Sequence, residues 1–398
     1  MNENAGSDKR SDCADEGGGL RVALADGRRG LEEVREQWAA LATSAIEPNV
    51  FLEPFAVLPA LDNFGKDKDL AFVCVFRPDP NRPAQEQMVG FVPFERRRSF
   101  RWWPVSILCV WNHSYLLLST PLIHKEVTRE VWAAIFEWAR KSPLGAALIE
   151  FPYLRSEGHA YHVLVDVLRD GALLSNTVDH YTRPLLLVPD RATVRNLLDN
   201  LSGGARREVR RRLRRLSEVG KVEFQVLQPG GDIERWVNDF LEMEARGWKS
   251  GSGGNAMLLH EEDADYFRGL CRGAHAAGRL HMLALFLDGR PIAMKCNFLC
   301  NNGSFNLKIA YDEEFSKYSP GFLLEVENVE SLKRLQGIEW MDSCSAQKTF
   351  FDDFWADRRG VEHVLIETGN RWGKLCLGIF PLLRSLKRIM GLSSVTSL

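Results

Sequence analysis

Two carboxylates and a lysine stand at the ends of apolar segments in the second half of the chain. Lys308 falls late in the segment Ser304–Ala310, Asp312 follows that segment, and Asp342 ends the short run Ile338–Met341. Sheets of α/β type bind ligands beyond their strand ends, so Asp342 could remove a proton directly or through a water molecule. Partial burial would raise its pKa and suit it to that role. We therefore predict Asp342, Lys308 and Asp312 as candidate catalytic residues.

Each of these three residues also has a purely structural interpretation. Lys308 would face solvent on a half-exposed strand, whereas an inward ammonium group would need a partner or a ligand because burying a lone charge is costly. Asp312 would cap the turn that follows its strand, and Asp342 would be a turn aspartate. The sequence leaves these alternatives open.

A second candidate site is the segment Tyr318-Ser319-Pro320-Gly321, which precedes a helix predicted over Phe322–Leu335. Ser319 suits an N-cap, and Pro320 suits the first helical turn. The start of a helix presents unpaired N–H groups and the positive end of the helix dipole. We therefore predict that Tyr318, Ser319, Pro320 and Gly321 bind the phosphates of a ligand. The alternative is a loop with an ordinary helix cap.

Four further residues are predicted to bind the substrate. Glu244, Trp248 and Lys249 end or follow a long amphipathic helix before a Gly/Ser-rich loop, and Lys348 follows Asp342. Their structural interpretations are core packing for Trp248, an exposed ion pair between Glu244 and Lys249, and a surface position for Lys348.

The elements that must position these residues can be recognised from turns and periodicity. Three apolar segments are joined by Asp-Gly and Asn-Gly turns: Leu280–Leu287, Ile292–Leu299 and Ser304–Ala310. These dipeptides supply the positive φ that tight hairpins need, so we predict an antiparallel meander. The helix Phe322–Leu335 follows the meander, and a strand ending at Asp342 comes next.

The whole chain has the composition of a soluble globular protein with room for two domains. It has 398 residues, 45% apolar and 26% charged, with a formal net charge of -2. Strand–helix–strand order occurs twice, with a break near Leu174–Asp179, which predicts an α/β (α+β) fold in two domains. The predicted ranges are a disordered leader at 1–19, domains at 20–178 and 179–371, and a tail at 372–398.

Cysteine spacing and hydropathy give no sign of a metal site or a membrane span. The eight cysteines form no CxxC pair, and Cys296 and Cys300 fall in or near one apolar strand, which predicts buried thiols and no bound metal. No apolar run reaches the roughly 20 residues of a membrane span, and the first residues lack a signal-peptide core. We predict a cytoplasmic protein, with a peripheral position at the inner face of the membrane as the alternative.

Two charged segments suggest partners. Arg206–Arg215 forms a basic helix with a narrow apolar seam of Val209, Leu213 and Leu216, and this charge suits RNA or an acidic partner. The alternative is a solvated helix. The run contains no aromatic residue on which the bases of a single strand could stack, which argues against nucleic acid. The apolar and basic tail Trp372–Leu392 suits either a membrane surface or docking against the first domain.

Taken in order, these motifs resemble the GNAT acyltransferase superfamily, and within it the tandem-domain FemAB-type and CelD-type branch. The resemblance extends across Tyr181–Arg371. It rests on Glu244 with Gly247-Trp248-Lys249, Asp288-Gly289-Arg290-Pro291-Ile292-Ala293, Lys308-Ile309-Ala310-Tyr311-Asp312, Ser319-Pro320-Gly321, Asp342, Lys348 and Trp355. The glycine-rich pyrophosphate signature of single-domain members is reduced here to Lys317-Tyr318-Ser319-Pro320-Gly321, with one glycine.

The resemblance implies two GNAT-like domains, each a mixed, mostly antiparallel sheet flanked by helices, with the donor site in the second. It implies transfer of an acyl group from acyl-CoA to an amine or hydroxyl, with coenzyme A thioester as co-substrate and a role in cell-envelope or polysaccharide biosynthesis. A thioester is already activated, so the protein need only align the reactants and remove a proton. The alternatives are an aminoacyl-tRNA-dependent FemAB-like transferase and a non-catalytic scaffold that uses the basic helix 205–220.

Overall fold

The computed structural model describes residues 13–14, 19–100, 104–142, 144–188, 203–246, 256–345 and 349–379. Packing divides the chain into two compact units. Unit 1 comprises Met1–Leu52, Asp67–Tyr181 and Gly360–Leu398, and unit 2 comprises Glu53–Lys66 and Thr182–Arg359. The predicted fold class is confirmed: mostly antiparallel pairing with flanking helices.

The helices and strands are numbered here in chain order. The strands are β1 Cys13–Ala14, β2 Arg21–Ala25, β3 Leu70–Asp79, β4 Arg82–Arg97, β5 Ile107–Val110, β6 Leu122–Ile123, β7 Leu148–Arg155, β8 Ser175–Leu187, β9 Val222–Val226, β10 Leu280–Leu287, β11 Arg290–Cys300, β12 Gly303–Tyr311, β13 Trp340–Asp342 and β14 Asp357–Glu367. The α-helices are α1 Gly27–Glu33, α2 Arg35–Ser44, α3 Pro54–Phe64, α4 Thr128–Lys141, α5 His159–Asp170, α6 Gly203–Ser217, α7 Ile233–Arg246, α8 Glu261–Ala276 and α9 Pro320–Arg334. Short 3₁₀ helices lie at Val50–Leu52, Met257–Leu259, Glu313–Tyr318 and Phe350–Asp353.

Unit 1 contains the strand order β1-β2-β3-β4-β5-β7-β14. Its core contains buried tryptophans whose indole N–H groups donate to backbone carbonyls. The Trp38 indole donates to the carbonyl of Leu52 (2.8 Å), and the Trp132 indole donates to that of Ala160 (3.1 Å). The late segment of the chain belongs here because β14 pairs with β7, a long-range pairing that local sequence patterns do not reveal.

Unit 2 contains the order β8-β13-β12-β11-β10-β9, in which only β12 and β13 are parallel. The predicted meander is therefore present as β10, β11 and β12. Its first turn has positive φ at Asp288 and Gly289 as expected, whereas in the second turn it is Asn301 that has positive φ. Gly303 serves another purpose, since a Cβ there would lie 2.2 Å from the ring of Trp340.

Helices cover both faces of the unit 2 sheet. On one face α9 places the Glu325 carboxylate 2.6 Å from the Lys295 ammonium of β11. The other face meets α3 through Phe55 and Phe298 (ring centroids 5.9 Å apart) and α8 through Cys271 and Cys296 (Sγ–Sγ 3.8 Å). Residues 53–66 therefore belong to unit 2 because α3 packs on this sheet and on α8.

None of the described helices is long and apolar enough to cross a membrane. The described residues also contain no group of three or more histidine, cysteine or acidic side chains that could hold a metal ion. Cys296 and Cys300 are buried free thiols.

Candidate functional site

The two parallel strands of unit 2 separate after a short pairing. β12 and β13 pair only through Gly303–Trp340, Ser304–Met341 and Phe305–Asp342. β13 then ends, while β12 continues to Tyr311, and among the described strands none pairs with this edge of β12 beyond Phe305. We term this opening, between Asn306–Tyr311 and Ser343–Cys344, the strand fork. Backbone N–H and C=O groups along such an edge need partners.

A β-bulge at the strand fork determines which way Lys308 points. Opposite β11, Cys296 faces Lys308 and Asn297 faces Asn306, so Leu307 is an extra residue. Strict alternation from Phe305 would turn Lys308 toward α9, but the extra residue turns it toward α7. The Lys308 ammonium there contacts the carboxylate of Glu244.

The Lys308–Glu244 pair joins two residues that the sequence predicted for separate roles. Glu244 is buried and also accepts a hydrogen bond from the Met257 N–H (3.0 Å), while the Lys308 side chain is 21% exposed. The interpretation of Lys308 as a solvent-facing residue is therefore wrong. Trp248, Lys249 and Lys348 lie outside the described residues.

Asp342 lies at the root of the strand fork in a buried cluster with two arginines. Its carboxylate is 2.7 Å from Arg183 Nε and 2.8 Å from Arg359 Nη1, and it accepts the Cys344 N–H at 2.8 Å. Burial opposes ionisation, but the charges of Arg183 and Arg359 outweigh it and hold the pKa of Asp342 below its usual value.

The raised pKa expected for Asp342 is therefore wrong, because sequence spacing did not reveal the two arginines that surround it. A carboxylate stabilised in its ionised form is a weak base, and these contacts instead fix the end of β13. Its catalytic role stays a prediction.

Asp312 caps the 3₁₀ helix Glu313–Tyr318. Its side chain accepts the Glu314 N–H at 3.1 Å and pairs with Arg290. These contacts match the capping interpretation of Asp312, which follows Lys308 by four residues in the sequence.

The predicted phosphate-binding segment has an unusual backbone. Ser319 adopts the left-handed conformation (φ 51°, ψ 58°), and its side chain makes no capping hydrogen bond, so the predicted side-chain cap is wrong. Its carbonyl instead accepts the N–H groups of Phe322 and Leu323 (3.0 and 3.1 Å). Pro320 begins α9 as predicted, and Gly321 packs near Tyr311. Strained backbone of this kind is often found at ligand sites.

Three cationic side chains surround the first turn of α9. Lys317 and Arg215 lie 5.0 and 5.9 Å from the ring centroid of Tyr318, and Arg212 lies 5.7 Å from that of Phe322. Sequence reasoning treated the basic helix and this segment separately. The apolar seam of α6 is the sequence feature that could have indicated their contact. The seam residues Val209, Leu213 and Leu216 pack in one cluster with residues at or just before the start of α9, namely Tyr318, Leu323 and Leu324.

Unit 1 repeats the parallel pairing but fills its opening with its own chain. β5 and β7 pair through Ile107–Leu148, Leu108–Ile149 and Cys109–Glu150. Beyond them, the Ser119 N–H donates to the Tyr153 carbonyl (2.8 Å) and the Ser119 hydroxyl accepts the Tyr153 N–H (2.9 Å). Asn49 fixes this segment by donating to the carbonyls of Leu118 and Thr120 (3.0 and 2.7 Å). The corresponding edge in unit 1 therefore already has partners.

Comparison with known proteins identifies the family of part of this chain. A profile of the family described as an acetyltransferase (GNAT) domain matches residues 203–352. No curated protein sequence matches the chain.

Among solved structures, that of FemX has a TM-score of 0.54 and 10% identity, covering 83% of this chain and 95% of the other. The C-terminal domain of a putative lysylphosphatidylglycerol synthetase from Agrobacterium fabrum has a TM-score of 0.51 and 14% identity, covering 88% and 96%. At such identities the likeness concerns the fold. The resemblance to the GNAT superfamily predicted from the sequence is confirmed, and the chain carries an acetyltransferase (GNAT) domain at residues 203–352. The CelD-type assignment stays a prediction.

Proposed function

We propose that this protein transfers an acyl group from a coenzyme A thioester to an amine or hydroxyl acceptor. The observation that carries the proposal is the edge of β12 beyond Phe305, with which no strand of the described part of the chain pairs. An extended arm with amide groups can pair with such an edge as an added strand. Coenzyme A has an arm of this kind, and its phosphates would reach the first turn of α9 beside Arg212, Arg215 and Lys317.

The Lys308–Glu244 pair is our candidate for the acceptor side of the reaction. The acceptor nitrogen or oxygen attacks the thioester carbonyl carbon, the carbon–sulfur bond breaks, and the thiolate leaves and takes up a proton. Asp342 faces two buried arginines, whereas Glu244 faces the partly exposed Lys308, so Glu244 is the less strongly stabilised carboxylate. Glu244 would accept the proton that the acceptor loses, and Lys308 would hold the carboxylate in place. Asp342, with its lowered pKa, would maintain the root of the strand fork.

An aminoacyl-tRNA donor is the second candidate, because α6 carries more positive charge than a small donor needs. Arg210, Arg211 and Arg214 are exposed, in addition to the arginines beside α9. A nucleic-acid backbone could contact them along the helix, whereas coenzyme A would use only Arg212 and Arg215.

Binding of coenzyme A measured by calorimetry and thermal shift tests the proposal. We expect one molecule per chain, since Ser119 already occupies the corresponding edge in unit 1. The melting temperature should rise, because a ligand at about 100 times its Kd adds about 2.7 kcal/mol. The absence of any shift with millimolar coenzyme A or acetyl-CoA would contradict the proposal.

A matched pair of variants separates the two donors. Arg212→Ala with Arg215→Ala should weaken coenzyme A binding at least about tenfold, since charge-assisted hydrogen bonds contribute about 1.5–3 kcal/mol. Arg210→Ala with Arg214→Ala, on the same helix, should leave it unchanged. An aminoacyl-tRNA donor would instead be weakened by both pairs, and a non-catalytic scaffold would show no turnover with either donor.

A further inference from the structure

The helix at residues 371–379 packs against unit 1 with one face only. Cys376 and Leu377 are buried in a cluster with Ile107, Leu148 and Leu365. Gly373 lies on the same side, where a Cβ would come within 2.3 Å of the Ala147 carbonyl oxygen. Asn176 also donates to the carbonyl of Leu377 (2.9 Å). These contacts fix the rotation of the helix about its axis.

The opposite face of this helix presents an apolar stripe to solvent. Trp372, Leu375 and Ile379 are 55%, 49% and 38% exposed. Their spacing of three and four residues places them on one side of the helix. One helix thus carries two apolar faces, and within the described part of the chain only one of them is packed.

The segment of sequence that contains this stripe is basic. After Glu367 the sequence contains five cations and no acid, the cations being Arg371, Lys374, Arg384, Lys387 and Arg388. Lys374 lies 3.6 Å from the buried Glu367, and Arg371 is exposed. The chain before this segment is net acidic, since the 51 basic and 53 acidic residues of the whole chain leave a formal net charge of -7 once these five cations are set aside.

We propose that the stripe of Trp372, Leu375 and Ile379 binds the surface of a bilayer that contains anionic lipid. Tryptophan and aliphatic side chains enter the boundary between headgroups and acyl chains, and neighbouring cations gain from anionic headgroups. A second copy of this chain would cover the stripe as well, but it would bring the exposed cations Arg371 and Lys374 of one copy against those of the other. Charge complementarity therefore favours the anionic surface.

Co-sedimentation of the full chain with vesicles tests this inference. We expect binding to vesicles that contain phosphatidylglycerol and phosphatidylcholine. Binding should be at least about tenfold weaker to vesicles of phosphatidylcholine alone, and also in high salt. Replacing Trp372, Leu375 and Ile379 together by serine should reduce binding by at least about tenfold, since each side chain loses apolar burial.

A matched triple variant provides the control. Val219, Leu258 and Leu259 are 51%, 39% and 50% exposed and lie in unit 2. Their replacement by serine removes similar apolar area and should leave vesicle binding unchanged. Because both sets are exposed, both variants should keep the fold, and circular dichroism checks this.

A direct probe of contact is quenching of tryptophan fluorescence by brominated lipid. The chain has 11 tryptophans, so the signal of interest is the difference between the wild type and Trp372→Phe. Quenching that Trp372→Phe lacks supports the inference. Equal vesicle binding by the wild type and the stripe variant would overturn it, as would a stripe variant that changes only the oligomeric state measured by light scattering.

Discussion

The contacts of Asp342 make Asp342→Asn the most informative substitution in unit 2. Asparagine keeps the shape of the side chain but removes the charge that faces Arg183 and Arg359 at 2.7 and 2.8 Å. Both guanidinium groups are buried, with residue exposures of 1% and 2%. The variant therefore leaves two buried positive charges without their carboxylate.

Breaking a buried ion pair by removing one partner costs about 3–5 kcal/mol, because the remaining charge stays desolvated. We expect Asp342→Asn to lower the free energy of unfolding of unit 2 by about this amount. A carboxamide can still accept one hydrogen bond from an arginine, which places the expected loss nearer to about 3 kcal/mol.

The pH dependence of this difference identifies its origin. The folded-state pKa of Asp342 is lowered from 3.8. Its contribution is therefore complete above that value and is lost as the pH falls through the lower folded-state pKa. The wild type and the variant should differ most at neutral pH and converge in acid.

Urea denaturation followed by tryptophan fluorescence at several pH values measures this difference. Asp312→Asn is the control, since asparagine can still cap the 3₁₀ helix and loss of the half-exposed ion pair with Arg290 should cost about 1 kcal/mol or less. A variant with wild-type stability and no turnover would refute our reasoning and restore Asp342 as the base. A stability loss that persists unchanged in strong acid would contradict the ionic origin.

Three further predictions concern the same unit. Glu244→Gln should lower kcat about a hundredfold while coenzyme A affinity stays within about twofold, and Lys308→Met should lower kcat as well. A parallel loss of coenzyme A affinity in either variant would contradict the acceptor-side role of these residues. Burial raises the pKa of Glu53 to about 7, so its contribution to stability is full below pH 4.5 and is lost as the pH rises through about 7. Glu53→Gln should lack this loss when urea midpoints are compared from about pH 4 to 8. Identical pH profiles of the urea midpoint for the wild type and the variant would contradict the prediction. Gly303→Ala should lower the unfolding free energy by about 1–3 kcal/mol, because its Cβ would overlap the Trp340 ring, whereas Gly378→Ala, with nothing within 4 Å, should not.

Local patterns predicted the meander and the start of α9 well. The Asp288-Gly289 turn supplies positive φ between β10 and β11, and Pro320 occupies the first turn of α9. Such features depend on residues close in sequence, so turn chemistry and periodicity describe them. The capping interpretation of Asp312 belongs to the same class.

The features that the sequence did not reveal depend on long-range contacts or on a single inserted residue. Arg183 and Asp342 are separated by 159 residues, and their pairing reverses the expected pKa shift. The bulge at Leu307 reverses the alternation that would have turned Lys308 away from Glu244. Local sequence composition predicts neither a register shift in a strand nor a counter-charge that lies far away in the sequence.

The late segment of unit 1 has a consequence for synthesis on the ribosome. β14 pairs with β7, and residues 371–379 complete the core around Leu148, so unit 1 requires a segment that begins at Gly360. Unit 2 ends at Arg359. The nascent chain therefore holds all of unit 2 before the last strand of unit 1 leaves the exit tunnel. Although earlier segments usually fold first, here unit 1, whose first segment precedes unit 2 in the chain, should finish last.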